Sequence, residues 1–181
     1  TGTRFLTSET TATISAAAAM LVQQVRDDES LPVEAESPEV VKAILMASAI
    51  HNGVSGETWT NNAVEDGDDR GLTDRPLDAT VGAGHLDVNR SHLVMSAGQQ
   101  PGAASGEAPA GQAGWSLETI SPGEQRSWLI ESAGTTAEFS ALITWNRVVA
   151  NSFASFTLAA MDLELLRLTA NGEISTLYGI R

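Results

Sequence analysis

FLTSETTATISAAAAMLV (residues 5–22) sets two hydroxyl residues, Thr7 and Ser8, at the mouth of a run of small and apolar side chains. From Ala12 to Val22 almost every residue is small or apolar, which leaves no solvated face. A helix that is apolar all round is a buried one, so the run predicts an interior helix. Ser8 then has two readings. One is an ordinary helix cap, with Glu9 placed well against the positive helix end. The other is a nucleophile aimed from the end of that helix.

Working outward, Asp27, Asp28 and Glu29 mark the exit of the helix. The next segment, LPVEAESPEVVKAILMASAIHNG, is strongly punctuated. Ser37 suits an N-cap, Pro38 the first helical position, and Glu39 the first turn. Val40, Val41, Ile44, Leu45 and Ala47 or Ser48 recur at the spacing of one apolar face, and Gly53 supplies a stop. Residues 54–78 turn polar, with Glu65, Asp66, Asp68, Asp69, Asp74 and Asp78 among glycine and proline, and predict a surface loop. Residues 96–114 are almost wholly Gly, Ala, Gln, Pro and Ser, the composition of a linker or mobile insertion.

Beyond the linker the period changes to two. EFSALITWN alternates through Phe139, Ala141, Ile143 and Trp145, RSWLIES through Trp128 and Ile130, and MDLELLRL through Met161, Leu163 and Leu165. An Asn171-Gly172 turn signal follows the last run. The pattern predicts an antiparallel β unit with Trp128 and Trp145 in its core.

Composition narrows the chemistry. The 181 residues, 42% hydrophobic, are enough for a sizeable core. A net charge of −13 repels phosphate backbones and anionic lipid, which speaks against nucleic-acid partners. The longest apolar run, residues 14–22, falls well short of the ~20 residues that cross a bilayer, so no membrane span is expected. Without cysteine there are no disulfides, thiol nucleophiles or thiolate metal sites. The acidic loop could hold calcium, although its spacing departs from the Asp-x-Asp-x-Asp-Gly calcium loop.

Four stretches in order resemble the C-terminal half of a subtilisin-like serine protease. TSETTATISAAAAML resembles the nucleophile motif with its small-residue helix and places Ser8 on the nucleophile. An alternative register sets Gly2 to Phe5 on the motif and Arg4 on that position. SPEVVKAILMASA resembles the proline-initiated helix that follows, and LDATVGAGHLDV the Gly-Ala-Gly stretch that closes the catalytic domain. FSALITWNRV with LAAMDLELLRLTANGE resembles the β-sandwich appended to some secreted members. Leu6 and Ala12 stand where the family carries glycine and proline.

The resemblance implies an α/β partial subtilase domain at residues 1–95, made of two helices and the closing segment. It further implies a linker at 96–114 and an antiparallel, jelly-roll-like β-sandwich at 115–181. The implied activity is serine endopeptidase chemistry on a polypeptide substrate in a secreted or extracytoplasmic setting. Family members often bind calcium. A serine needs a histidine to take its proton and a carboxylate to orient that histidine, in the chain order Asp, His, Ser. No Asp or His precedes Ser8, and His51, His85 and His92 all follow it. The chain alone is therefore expected to be inactive: a fragment complemented by the missing N-terminal part of the domain, or a degenerate relative. The competing reading is a non-catalytic extracellular binding or structural protein in which Ser8 is only a cap.

Overall fold

The computed structural model describes residues 7–51, 58–131, 138–168 and 174–180. They form a mixed α/β structure with three α-helices and three small sheets among the described residues. The alternative register at Gly2 to Phe5, the glycine stop at Gly53 and the Asn171-Gly172 turn lie outside them. The chain divides into two compact units, one of Thr1–Ala49 with Leu86–Thr144, the other of Ile50–His85 with Trp145–Arg181.

The first unit is built on helices. Helix α1 (Thr7–Asp27) is followed by a 3-10 turn at Val33–Glu36 and by α2 (Pro38–Ala47). Ser37 caps α2 as its position predicts, accepting the Val40 N–H at 3.3 Å, with Pro38 in the first turn. The predicted face is buried: Val40, Val41, Ile44, Leu45 and Ser48 point inward. Among the described side chains of α1, Ala17, Leu21 and Val25 are the buried ones, a stripe of i, i+4, i+8 that meets α2 and Ala35.

The expectation of an interior α1 is therefore corrected. Residues 8–16 are exposed on every side, and Met20 is 61% exposed. The helix is buried where the 3-10 turn, α2 and a third helix flank it, and that cover reaches only its C-terminal half. Hydroxyls in the exposed half are satisfied locally: Thr13 donates to the Glu9 carbonyl at 3.0 Å and Ser15 to Thr11 at 2.9 Å.

In the second unit a two-residue strand β1 (Leu72–Thr73) emerges from the stretch expected to be a plain surface loop. It is parallel to a C-terminal strand described below, and Thr73 is buried. Gly71 makes this approach feasible. Its φ is +84°, and a Cβ there would stand 2.5 Å from the Leu177 carbonyl oxygen.

Back in the first unit, α3 (Val88–Ser96) is capped by Asp87, which accepts the Arg90 N–H at 2.9 Å, and it delivers Met95 to the helical core. Residues 96–114, read as a linker from composition, carry β2 (Ala108–Ala110), which pairs in parallel with β3 (Trp128–Ile130). Trp115 closes the core at 7% exposure.

Strands β4 (Val148–Val149) and β5 (Phe156–Thr157) form an antiparallel ribbon in the second unit. There β6 (Leu163–Leu168) and β7 (Ile174–Ile180) also pair antiparallel, with a bulge at Leu165/Leu166, and give the sheet order β1-β7-β6. The alternation predicted for Met161, Leu163 and Leu165 against Asp162 and Glu164 is present. Residues 139–146, however, lie in no strand, and Trp145 is 37% exposed with its indole N–H on the Ala159 carbonyl. Trp128, 38% exposed, is likewise not a core residue. Period two describes any extended chain, and burial also requires a second layer to pack against.

Candidate functional site

Ser8 is the second residue of α1 and is exposed. Within the described helix, which runs Thr7–Asp27, Ser8 and Glu9 fall in the first turn. The positive end of the helix dipole favours negative charge at such a place. What the arrangement supplies at Ser8 is thus a hydroxyl and an electrostatic bias. A general base is a separate requirement.

The histidines do not meet that requirement within the unit that holds Ser8. Only His92 belongs to it, since His51 and His85 fall in the other unit. His92 sits on α3, and its carbonyl accepts from Gln24 Nε2 at 3.4 Å. Gln24 follows Ser8 by sixteen positions, which at 1.5 Å per residue is about 24 Å along the α1 axis. Proton transfer requires approach to about 3 Å, or a single bridging water. His92 therefore cannot serve Ser8.

The other two histidines have structural surroundings. The His51 ring lies flat on Trp59, with centroids 3.8 Å apart and planes 9° from parallel. Trp59 in turn donates its indole N–H to the Gly82 carbonyl at 3.0 Å. His85 exchanges two backbone hydrogen bonds with Ile50, at 2.8 and 3.0 Å. Gly84 lies against this bridge with φ +115°, and a Cβ on it would come within 2.7 Å of the Ile50 carbonyl oxygen. The Gly-Ala-Gly stretch read from sequence thus forms a close backbone junction.

The acidic loop also resolves into structure. Asp78 is a turn-former: its carboxylate accepts from the N–H groups of Thr80 at 2.7 Å, Val81 at 3.0 Å and Thr60 at 3.1 Å. Those donors, Val81 first, then Thr80 and Thr60, hold its carboxyl below the usual range. Among the described residues no group of three or more histidine or acidic side chains gathers closely enough to hold a metal ion. None of the helices there is long and apolar enough to cross a membrane.

Sequence reasoning missed the polar organisation of the first unit. Gln24 of α1 reaches α3, donating to Ser96 Oγ at 2.7 Å, beside an open groove lined by Met20, Asp27, Asp28 and His92. Glu118 gathers three donors just beyond the Gly-rich stretch. Neither has a sequence signal, because each depends on which segments tertiary packing brings together. Comparison with protein-family models, curated proteins and solved structures found no match.

Proposed function

We propose that this chain is a fragment, or a degenerate relative, of a subtilisin-like serine endopeptidase that carries the nucleophile segment. Ser8 is the nucleophile position, and the Asp and His that activate it come from outside the chain. In this reading residues 1–95 are the C-terminal part of the catalytic domain, and 115–181 the appended β-sandwich of a secreted enzyme. The resemblance of four ordered sequence stretches supports it.

The observation that carries the reading is the exposure of residues 8–16. Between Glu9 and Arg26 the helix has no charged residue, in a chain of net charge −13. Water-facing helices normally carry charged side chains, and beyond Glu9 this exposed stretch offers only small hydroxyl and alanine side chains with Ile14. Such a surface fits a helix whose covering layer belongs to another part of the catalytic domain.

A fluorophosphonate probe tests the proposal. The chain alone should not be labelled. Extended by, or mixed with, an upstream portion that bears the Asp and His, it should be labelled, and Ser8→Ala should abolish the signal. Absence of labelling in every combination would reject catalysis at Ser8.

A second reading, a binding β-module, draws on the exposed aromatic rings of the second unit. Phe153 is 87% exposed and Trp145 by more than a third, and both belong to the second unit. Exposed rings suit stacking on sugars or on an apolar partner. Retention on insoluble polysaccharide that is lost in F153A and W145A would support it, and no retention would remove the sugar form of it.

A further inference from the structure

Of the segments in the first unit, residues 97–117 are the least expected to be ordered, since their only charged side chain is Glu107 and their only large apolar ones are Trp115 and Leu117. Yet the arc at Gln100 to Ala103 lies directly on Trp128. A Cβ on Gly102 would meet the indole at 2.7 Å, so the bare backbone lies directly against the ring. Trp128 Nε1 donates to the Gln100 carbonyl at 2.8 Å, and Ala103 and Ser127 exchange two backbone bonds at 3.0 Å. Gln100 is anchored further by its own N–H, which donates to the Trp115 carbonyl at 2.7 Å, and Gly102 is tied by Glu118. Its Oε1 accepts from the Gly102 N–H at 2.8 Å and from Ser116 Oγ at 3.1 Å, while Oε2 accepts from Arg126 Nε at 3.1 Å.

We propose that Glu118 is an acid-sensitive latch that holds the arc at Gln100 to Gly102 against the indole of Trp128. It joins three segments, and among the described ties on this arc it is the titratable one. The charged groups around it are few. Arg126, whose side chain is only 15% exposed, faces it directly, and Glu124 reaches the same guanidinium at 3.7 Å. The arc itself contributes no charge.

Burial pushes the Glu118 carboxyl up. The Gly102 N–H, Arg126 and the Ser116 hydroxyl together outweigh that push and hold it below the ordinary glutamate range. A depressed folded-state value means the tie is fully made above the unfolded-state value and is lost as pH falls through the folded one. Protonation removes the Arg126 attraction and weakens acceptance from Gly102. The Gln100–Trp115 bond, the Ala103–Ser127 pair and the β2–β3 ribbon stay in place, so the opening is confined to Pro101 and Gly102.

The indole N–H resonance of Trp128, assigned by W128F, reports the opening during an acid titration of the full chain. We expect a shift with a midpoint below the ordinary glutamate range while far-UV circular dichroism stays constant. Hydrogen exchange at the Gly102 amide, corrected for intrinsic rate, should rise at least tenfold over the same interval. E118Q keeps the shape and an acceptor but cannot titrate, and should show no such step. The latch is refuted if the Trp128 signal moves only together with global unfolding, or if E118Q keeps the step. Should E118Q fail to fold, the Gly102 exchange profile of the native chain decides, an unchanged profile refuting the latch.

Discussion

Trp115 donates its indole N–H to the Met95 carbonyl at 3.4 Å, and both side chains are buried in the helical core, on either side of residues 96–114. The Gly/Ala/Pro-rich stretch is thus closed at both ends into one hydrophobic cluster, where a tether would leave its ends independent. Truncating a buried aromatic loses transfer free energy and leaves a cavity, about 3–5 kcal/mol. Trp115→Ala should therefore lower the unfolding free energy of the first unit, read from urea denaturation, by an amount in that range. A loss below about 1 kcal/mol would show that the two ends are not held by a common core.

The sequence patterns that proved legible are those whose physics is local. The α2 cap at Ser37, its proline start and its apolar face need only neighbours three and four residues apart, and the structure has them. The alternation at Met161 to Leu165 is local in the same way. The environment of α1 was not legible. Small residues on every side are equally compatible with an interior helix and with one awaiting cover, and only tertiary contacts decide. The strand pattern at Phe139 to Trp145 misled for a related reason, since alternation does not supply a partner strand. Of the candidate site, Ser8 could be read from sequence. The separation of His92 from it follows only once Gln24 is seen to pack against α3.

Gly71 gives a sharp test of the β1–β7 junction. Its positive φ strains any L side chain, and an added methyl would collide with the Leu177 carbonyl. Gly71→Ala should cost more than about 1 kcal/mol, and the Gly179 N–H, which donates to the Gly71 carbonyl at 3.1 Å, should lose exchange protection. Gly67, with φ +87° and open space around its Cα, should tolerate alanine better. Equal costs at the two positions would place the effect in backbone strain alone.

Asp78 makes the Thr60 to Val81 loop sensitive to acid. Its folded-state carboxyl lies below the usual range, so the stabilisation is present above the unfolded-state value and is lost as pH falls through the folded one. The Trp59 fluorescence, which reports contact with His51 and Gly82, should change in that acid range and become insensitive there in Asp78→Ala. Asp78→Asn retains an oxygen acceptor and should preserve the neutral-pH spectrum while losing the titration. If Asp78→Ala behaves as the native chain at all pH values, the three backbone donors do not depend on this carboxylate.

Ala16 and Ala17 separate what holds the chain together from what it presents to a partner. Adjacent on α1, they face opposite surroundings: Ala16 is exposed, whereas Ala17 is 2% exposed against the helical core. A carboxylate at position 17 would be buried without a partner, so Ala17→Glu should unfold or severely destabilise the first unit. Ala16→Glu meets only water in the isolated chain and should change its stability by no more than about 0.5 kcal/mol. If the front of α1 is covered when an upstream portion restores reactivity at Ser8, the same Ala16→Glu must bury a charge in that assembly. It should then abolish fluorophosphonate labelling while the chain's own unfolding curve stays unchanged. Labelling that survives Ala16→Glu at native strength would mean that this face of the helix stays in solvent, and the exposure of residues 8–16 would no longer favour a missing layer.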